Sequence, residues 1–362
     1  MKKVLILANN DVGLYQFRQE LIAELLKKNK VCISLPYGEM VEPLKKMGCK
    51  FFDAPVDRRG LNPIKDMELF IYYMELLKKV KPDLVITYTI KPNIYGSLAC
   101  ELLGITYAVN ITGLGTAFQK KGALRTLVTT MYKVSLRKAK VVFFENCENR
   151  QIFIDERIVP KNKTCLLNGA GVNLEKFPYI DYPTDSEIVR FLFIGRVMRE
   201  KGVNELFKAM RMLRKNGVNC TLDVLGGYEE NYESIIRRFE KEGWLNYHGF
   251  QDDVRPFIAN CHCFVLPSWH EGMANTNLEC AASGRPVITS NIHGCLEAVV
   301  EGKSGFLCEK QNARSLYEVM KRFAELPVEV KVEIGKCGRE HMVEGFDKRK
   351  VVEKTMSFLE KK

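Results

Sequence analysis

Two carboxylates, Glu271 and Glu279, stand eight residues apart in the second half of the chain. They follow an apolar run of strand length that ends at Pro267, and a helical pattern begins near Asn275. We therefore expect Glu271 on a loop and Glu279 in the second turn of a helix, so that both can face one ligand. Carboxylates accept hydrogen bonds from sugar hydroxyls, and the unpaired N–H groups at a helix start favour a phosphate. The spacing alone favours a simpler interpretation, in which Glu271 caps a loop and Glu279 is solvated.

Two cations occupy a second strand-to-helix turn. Arg196 follows an apolar run, and Lys201 stands five residues later, where the next helical pattern opens. Both side chains can reach the carboxyl end of the predicted strand, where a helix start again favours an anion. A guanidinium beside an ammonium can hold a diphosphate. A single exposed Arg or Lys is usually only solvated, but two cations at one strand end favour an anion site.

The elements that must position these residues are apolar runs that alternate with helical patterns. In the first half the runs are Lys3–Leu7, Val31–Leu35, Phe51–Phe52, Leu84–Thr87, Tyr107–Val109 and Val141–Phe144. In the second half they are Phe191–Gly195, Cys220–Leu225, Cys263–Pro267 and Pro286–Ile288. Such an alternation is typical of parallel sheets covered on both faces. The sequence therefore predicts an α/β architecture of two Rossmann-like domains that face each other across a cleft at the carboxyl ends of their strands.

The domain junction is expected in a polar and irregular part of the chain. Residues 179–187 read as a connection, and the junction falls between residues 150 and 187. We expect an N-terminal domain at residues 1–165, a C-terminal domain at residues 166–345 and a final amphipathic helix at residues 346–362.

The composition excludes several classes of protein. With 362 residues, 46% hydrophobic and 27% charged, the chain reads as a two-domain globular protein and not as a disordered or fibrous one. No stretch reaches the ~18 uncharged apolar residues of a membrane span, and the N-terminus reads as a strand instead of a signal peptide. The 12 scattered cysteines indicate reduced core thiols in a cytoplasmic protein.

Positive charge is concentrated in the first part of the chain. Residues 1–146 hold 23 Lys and Arg against 13 Asp and Glu, a net charge of +10, whereas the remainder has +1. The segment Gln119–Lys140 has seven basic and no acidic residues, with apolar residues at helical spacing between them. It predicts a basic amphipathic helix that touches an anionic membrane surface, or else an ordinary surface helix with a solvated charged face. The membrane contact would use Lys120, Lys121, Arg125, Lys133 and Arg137; nucleic acid is not expected as a partner.

Several short motifs occur in a specific order along the chain. In the second half they are Asn168–Asn173, Gly195–Arg196, Glu200–Gly202, Glu271 with Glu279, Gly284–Ile288, Gly294, Glu297, Gly302 and Gly305. In this order the sequence resembles family 4 of the retaining glycosyltransferases, which have the two-domain GT-B fold, and the resemblance covers nearly the whole chain. Phe17–Arg18, Lys91–Gly96 and Gly113–Gly115 resemble bacterial capsular and lipid-linked oligosaccharide transferases. Some of those add N-acetylgalactosamine or galactose to a polyprenyl-diphosphate sugar.

The resemblance implies a reaction. A hexose or N-acetylhexosamine would move, with retention, from a nucleotide sugar, expected to be a UDP-sugar, to a saccharide on polyprenyl diphosphate, in bacterial surface polysaccharide synthesis. The enzyme would work at the inner face of the plasma membrane. Its first domain would bind the acceptor, and its second the nucleotide sugar. The C-terminal helix would cross back onto the first domain.

The resemblance also assigns roles to residues. Arg196 and Lys201 would hold the donor diphosphate and stabilise the leaving group, Glu271 would contact the donor sugar, and Glu279 would bind the ribose hydroxyls. Gly13, on the loop after the first strand, would let the backbone of the first domain approach the donor phosphates. The N–H groups that would face sugar and phosphate are those of Gly272, Met273, Ala274 and Asn275. No metal and no cofactor is expected, because cations and helix ends replace the metal.

One position departs from the family pattern. Many members have a His that contacts the donor sugar where this chain has Thr112. Lys91 and Thr112 are candidates for a replacement, and His270, beside Glu271, is a candidate to face the acceptor.

Alternative interpretations remain open at this point. One is a nucleotide-sugar epimerase or another non-transferase enzyme on the GT-B fold, although no additional carboxylate set for epimerisation is visible. Another is a binding protein that keeps the fold, against which the intact Arg196, Lys201, Glu271 and Glu279 argue. The triplet Cys261–Cys263 resembles a zinc motif, but alternate residues of a strand point to opposite faces, which favours a structural role.

Overall fold

The chain divides into two compact units. The computed structural model describes residues 1–57, 60, 62–115, 118, 122–184 and 187–361. Unit 1 consists of Met1–Ala170 together with the chain from Arg349 onward, and unit 2 consists of Gly171–Lys348. The chain therefore passes from unit 1 to unit 2 and back again.

Unit 1 is built on a parallel sheet. Its strands are Lys2–Leu7 (β1), Asn29–Leu35 (β2), Lys50–Asp53 (β3), Leu84–Tyr88 (β4), Tyr107–Ile111 (β5), Val141–Phe144 (β6) and Thr164–Leu166 (β7). They lie in the order β3-β2-β1-β4-β5-β6-β7, and each neighbouring pair is parallel. The inner strands are buried on both faces, which explains why they read as continuous apolar runs.

Helices cover both faces of this sheet. They are Asp11–Lys28 (α1), Val41–Lys46 (α2), Pro63–Val80 (α3), Ser97–Leu103 (α4), Ala123–Ser135 (α5) and Cys147–Asp155 (α6). Helices α1 and α2 share one apolar core with the sheet, and α3 to α6 share the other. A π-helical turn, Pro92–Gly96, precedes α4.

Unit 2 repeats this plan. Its strands are Val189–Ile194 (β8), Cys220–Leu225 (β9), Leu245–Gly249 (β10), Cys263–Leu266 (β11), Val287–Ser290 (β12) and Gly305–Cys308 (β13). They are parallel and lie in the order β10-β9-β8-β11-β12-β13. The helices are Val203–Lys215 (α7), Glu233–Lys241 (α8), Arg255–Asn260 (α9), Asn275–Ala282 (α10), Ala313–Ala324 (α11) and Val328–Gly345 (α12). Two parallel-sheet, Rossmann-like units agree with the predicted fold class.

A last helix, Lys348–Glu360 (α13), returns the chain to unit 1. Its residues Val351, Met356 and Leu359 are buried in the same core as α1 and α2. The ammonium group of Lys140 donates to the carbonyl oxygen of Leu359 at 2.8 Å. The final amphipathic helix predicted from the sequence therefore packs on unit 1.

The structure corrects one local prediction. The sequence pattern predicts a loop around Gly13, and this prediction is wrong because α1 already begins at Asp11. The side chain of Asn10 caps this helix by accepting the N–H of Gly13 at 2.6 Å. An early cap of this kind shortens the loop after β1 to a few residues.

Most cysteines lie in the apolar cores, as the sequence predicted. Ten of the 12 cysteines are buried, Cys147 is exposed, and all carry free thiols. No helix in the ranges that the structure describes is long and apolar enough to cross a bilayer.

Candidate active site

Lys201 and Glu271 meet as an ion pair between two loops of unit 2. Lys201 ends the 3-10 turn Arg199–Lys201, which links β8 to α7, and Glu271 lies between β11 and α10. The Lys201 ammonium pairs with Oε1 of Glu271, and the hydroxyl of Ser268 donates to the same oxygen at 2.8 Å. Both charged side chains are largely buried, so water screens their interaction less than at an exposed surface.

A glycine contact brings the two loops together. Gly202 has φ +74°, and a Cβ there would lie 2.0 Å from the carbonyl oxygen of Pro267. The N–H of Trp269 donates to the carbonyl oxygen of Glu200 at 2.9 Å, and His270 Nε2 lies 3.2 Å from Glu200 Oε2. Only glycine combines this backbone conformation with so close an approach.

Arg196 contacts a different carboxylate. Its Nη1 lies 3.3 Å from Oε2 of Glu229, which follows β9, and the guanidinium is about half exposed. Arg196 and Lys201 thus follow the same strand, as predicted, but pair with separate acids. Both charges have carboxylate partners with which an anionic ligand would compete.

The start of α10 lies where the sequence predicted it. The helix begins at Asn275, so Glu279 is in its second turn. The N–H of Ala274 donates to the carbonyl oxygen of Gly294 at 2.7 Å, so this one of the four predicted N–H groups already has a partner. Gly294 has φ +90° and lies against the backbone of Glu271, where a Cβ would come within 2.6 Å of the carbonyl oxygen.

Two buried amide oxygens flank this helix start. Within the described ranges, Oδ1 of Asn275 and Oδ1 of Asn277 have no hydrogen-bond partner. The other end of the Asn277 amide donates to Thr289 Oγ1 at 3.1 Å, which orients it. Buried acceptors without partners are rare in folded proteins, and they are typical of places where a ligand or water completes the bonding.

The carboxyl group of Glu279 ionises less readily than that of an ordinary glutamate. Burial raises the pKa of its carboxyl group to about 7, although the positive charges of Lys348 and Lys176 oppose this shift. Among the residues that the structure describes, no side chain or backbone group forms a hydrogen bond or ion pair with this carboxyl group. Its oxygens are therefore available to accept a hydrogen bond from a ligand hydroxyl.

The predicted residues of unit 1 have other partners. The N–H of Gly13 is used by the cap of α1. Lys91 Nζ lies 2.7 Å from Oδ1 of Asp66, and the hydroxyl of Tyr95 donates to Oδ2 of Asp66 at 2.9 Å. Thr112 follows β5 and is half-buried. The roles predicted for Gly13, Lys91 and Thr112 stay predictions.

Sequence reasoning did not assign roles to three residues of the site. Ser268 and Glu200 contact Glu271 and His270 directly. The Ser268 contact is local, whereas only the contact between the two loops brings Glu200 to His270, because these two residues lie far apart in sequence. Gly294 was visible as part of a motif, although its contact with Glu271 was not.

The triplet Cys261–Cys263 has structural contacts. Nδ1 of His262 accepts the N–H of Arg190 at 2.9 Å. The thiols of Cys261 and Cys263 donate to the backbone carbonyls of Ile258 and Phe264 at 3.4 and 3.5 Å. The His262 contact joins β8 to the start of β11, and the two thiol contacts are local.

Helix α5 has a buried and an exposed apolar side. Val128, Tyr132 and Leu136, the residue after the helix, are buried against the sheet. Leu124, Leu127 and Val134 point outward and are exposed. The sequence pattern had combined both sets into one apolar face.

The basic residues predicted for a membrane contact differ in their surroundings. Nε of Arg125 donates to Glu156 at 3.1 Å, and Nε of Arg137 donates to Glu101 at 3.1 Å. Lys133 is exposed. Lys120 and Lys121 lie outside the described residues.

Two family models match the two halves of the chain. Residues 3–146 match a model described as "Glycosyl transferase 4-like", and residues 181–341 match one described as "Glycosyl transferases group 1". Together they extend over most of both units.

Curated relatives align over nearly their whole length. A Campylobacter jejuni N,N'-diacetylbacillosaminyl-diphospho-undecaprenol alpha-1,3-N-acetylgalactosaminyltransferase is 29% identical over 86% of this chain and 86% of its own. An Escherichia coli UDP-Gal:alpha-D-GlcNAc-diphosphoundecaprenol alpha-1,3-galactosyltransferase is 29% identical over 84% of this chain and 81% of its own. Both are sugar transferases, so they give no support to an epimerase.

A solved structure shows the same fold. Anabaena HepE, determined in complex with UDP and glucose, superposes with a TM-score of 0.80 over 99% of both chains at 14% identity. At that identity the likeness concerns the fold alone.

Proposed function

The chain belongs to family 4 of the glycosyltransferases and has the GT-B fold, and from this premise we propose the reaction that it catalyses. It transfers a hexose or N-acetylhexosamine from a UDP-sugar, with retention, to a saccharide carried on polyprenyl diphosphate. The names of the two bacterial relatives support this class of acceptor.

The observation that carries the proposal is the pairing of Lys201 with Glu271. It places an ammonium group at the carboxyl end of β8 beside a carboxylate that precedes the start of α10. The ammonium group can bind diphosphate oxygens, and the carboxylate can accept hydrogen bonds from sugar hydroxyls. A nucleotide sugar contains both a diphosphate and sugar hydroxyls.

Arg196 and Lys201 hold the donor diphosphate in this proposal. As the anomeric C–O bond breaks, negative charge develops on the leaving phosphate, and the two cations stabilise it. A preorganised donor to a developing charge contributes about 3 kcal/mol to lowering the barrier. The N–H groups of Gly272, Met273 and Asn275 face sugar and phosphate. No metal and no cofactor is required, because the cations balance the charge.

Glu271 and Glu279 orient the donor. Glu271 accepts hydrogen bonds from hydroxyl groups of the sugar, and Glu279 accepts them from those of the ribose. The acceptor oxygen attacks the anomeric carbon on the face that the leaving phosphate occupies. Its proton passes to the departing phosphate oxygen, so the products are the glycosylated acceptor and UDP.

Unit 1 binds the acceptor and contacts the membrane. We place the enzyme in the cytoplasm, peripheral at the inner face of the plasma membrane. Helix α5 supports this, because Leu124, Leu127 and Val134 are exposed beside Lys133. Lys120 and Lys121 precede this helix in the sequence, and Arg125 and Arg137 belong to the same basic segment.

A thermal-shift and hydrolysis panel tests the reaction. UDP-, GDP- and ADP-sugars are compared with and without EDTA on the wild type, Lys201→Ala and the control Lys208→Ala, which changes an exposed lysine of α7. We expect one UDP-sugar to raise the melting temperature regardless of EDTA, and Lys201→Ala alone to abolish the effect.

Two outcomes would contradict the proposal. If no nucleotide sugar stabilises the protein or is hydrolysed, the transferase site is misassigned. If the recovered donor has an altered sugar configuration, the chain is an epimerase.

A further inference from the structure

Helix α3 carries an exposed apolar stripe that the sequence pattern did not single out. Ile64, Met67 and Ile71 are 71%, 58% and 50% exposed. Their spacing of three and four residues places them on one side of the helix. The buried residues of α3, Leu69, Tyr73, Leu76, Leu77 and Val80, face the sheet. The stripe therefore points away from the core of unit 1.

A second stripe lies on α5, in the same helical layer. Leu124, Leu127 and Val134 are 40%, 58% and 51% exposed, and α4, between the two helices, exposes Leu102. Helix α4 contacts both α3 and α5, and the inner sides of all three share one core. We call the seven exposed side chains of α3, α4 and α5 the apolar layer. Single exposed apolar residues are ordinary, but seven on adjacent helices mark an interaction surface.

The charge of unit 1 indicates what covers this layer. Residues 1–146 have a net charge of +10, and Gln119–Lys140 contains no acid. A second copy of the chain would bring two strongly positive units together, which disfavours self-association. An anionic bilayer offers both negative headgroups and an apolar interior.

We propose that the apolar layer docks on an anionic lipid bilayer along two lines, with the α3 stripe as the second line beside α5. This deepens the proposed membrane contact and rests on it. A single amphipathic helix leaves a protein able to roll about the helix axis. Two neighbouring stripes define a plane, and they fix the orientation of unit 1 on the membrane.

Vesicle flotation with three matched variants tests the proposal. The α3 variant carries Ile64→Ser, Met67→Ser and Ile71→Ser. The α5 variant carries Leu124→Ser, Leu127→Ser and Val134→Ser. The control carries Val300→Ser, Val328→Ser and Val330→Ser, which change side chains of unit 2 that are 38–41% exposed.

The vesicles contain phosphatidylcholine alone or with 30% phosphatidylglycerol. On the anionic vesicles we expect the α3 and α5 variants each to bind about tenfold more weakly than the wild type. The control should bind like the wild type. Because all substituted side chains are exposed, the melting temperatures should stay close to that of the wild type.

Tryptophan reporters test directly whether each stripe enters the bilayer, without a measurement of binding affinity. Met67→Trp, Leu127→Trp and the unit 2 control Val330→Trp are compared with the wild type, whose own Trp244 is buried and Trp269 half-buried. We expect a blue shift and quenching by brominated lipid for the first two reporters only.

The possible failures are distinguishable. If α5 reporters and variants respond and those of α3 do not, the two-line contact is wrong and the α5 contact stands. If the wild type binds neither vesicle, or is a dimer that the α3 variant dissociates, bilayer docking itself is wrong. Stabilisation by UDP-sugar, measured on the same variants, tests the reaction separately.

Discussion

Lys201 has its charge balanced by Glu271, and this pairing has a consequence for nucleotide binding. In the proposed reaction, the donor diphosphate competes with the carboxylate for the ammonium group. Glu271 is then released to accept hydrogen bonds from the sugar hydroxyls. When transfer has removed the sugar, the carboxylate can return to Lys201 and compete with the bound UDP.

This competition predicts an unusual gain of affinity. We expect Glu271→Gln to bind UDP about fivefold more tightly than the wild type, because the amide no longer competes for Lys201. Sugar transfer should fall in the same variant. Titration calorimetry with UDP measures the first effect, and the initial rate of transfer measures the second. Ser268→Ala, which removes only a neutral donor to Glu271, serves as the control. Weaker UDP binding by Glu271→Gln would show that Glu271 does not compete for Lys201.

The raised pKa of Glu279 gives a pH-dependent stability. Burial raises the pKa of this carboxyl group from 4.5 to about 7 in the folded protein. Between these values the folded protein binds a proton that the unfolded chain has released. The contribution of Glu279 to the free energy of unfolding therefore decreases as the pH rises from about 4.5 to about 7.

Glu279→Gln removes this titration. We expect the difference in melting temperature, Glu279→Gln minus wild type, to become more positive from pH 5 to pH 8. Differential scanning calorimetry over that range checks it, and Glu329→Gln, which changes an exposed glutamate of α12, is the matched control. A difference that stays constant with pH would contradict the burial argument.

UDP affinity should also rise with pH more in the wild type than in Glu279→Gln, because an ionised carboxylate accepts hydrogen bonds from ribose hydroxyls more strongly.

At the scale of the elements, Gly202 joins the turn before α7 to the loop before α10. Gly202→Ala would introduce a Cβ 2.0 Å from the carbonyl oxygen of Pro267. Gly217 has a similar φ, +79°, but a Cβ at that position would have no described atom within 4 Å, so Gly217→Ala isolates the backbone effect.

We expect Gly217→Ala to lower the free energy of unfolding by about 1 kcal/mol and to leave UDP affinity unchanged. Gly202→Ala should lower the free energy of unfolding further. It should also weaken UDP binding at least tenfold, because the loops that carry Lys201 and Glu271 must separate. Chemical denaturation and calorimetry measure the two quantities. Equal effects of the two substitutions would exclude a role for the loop contact.

Apolar runs predicted the central strands of both sheets correctly, because those strands are buried on both faces. The strands that the pattern missed, β7, β10 and β13, each lie at a sheet edge. They are three to five residues long, and β10 is mostly accessible to water, so no long apolar run marks them.

The sequence predicted the candidate site only in part, because local patterns do not contain contacts between distant residues. Local patterns placed Glu279 in the second turn of α10, since helix periodicity is a property of neighbouring residues. The pairing of Lys201 with Glu271 joins residues 70 positions apart. It depends on the close contact between Gly202 and Pro267, which no local pattern contains.

At the scale of the whole molecule, α13 completes unit 1 after the chain has passed through unit 2. We expect Met356→Ala or Leu359→Ala to lower the stability of unit 1 by about 2–4 kcal/mol, because each side chain is buried in its core. Unit 2 has a separate core and should keep its stability. Hydrogen exchange, followed separately in β1 and β8, distinguishes the units. Glu353→Ala, on the exposed side of α13, is the control, and equal loss of protection in both units would contradict the prediction.

Unit 1 consists of two separate parts of the chain, and this also determines the order in which the protein can fold during translation. The apolar side of the first sheet that α13 covers includes Val4, Ile6 and Phe143. These residues are synthesised before any part of unit 2, and α13 is synthesised after nearly all of it. A nascent chain must therefore keep this surface from aggregating throughout the synthesis of a second unit. Synthesis rate and chaperone supply should consequently limit the yield of this protein more than the intrinsic stability of either unit does.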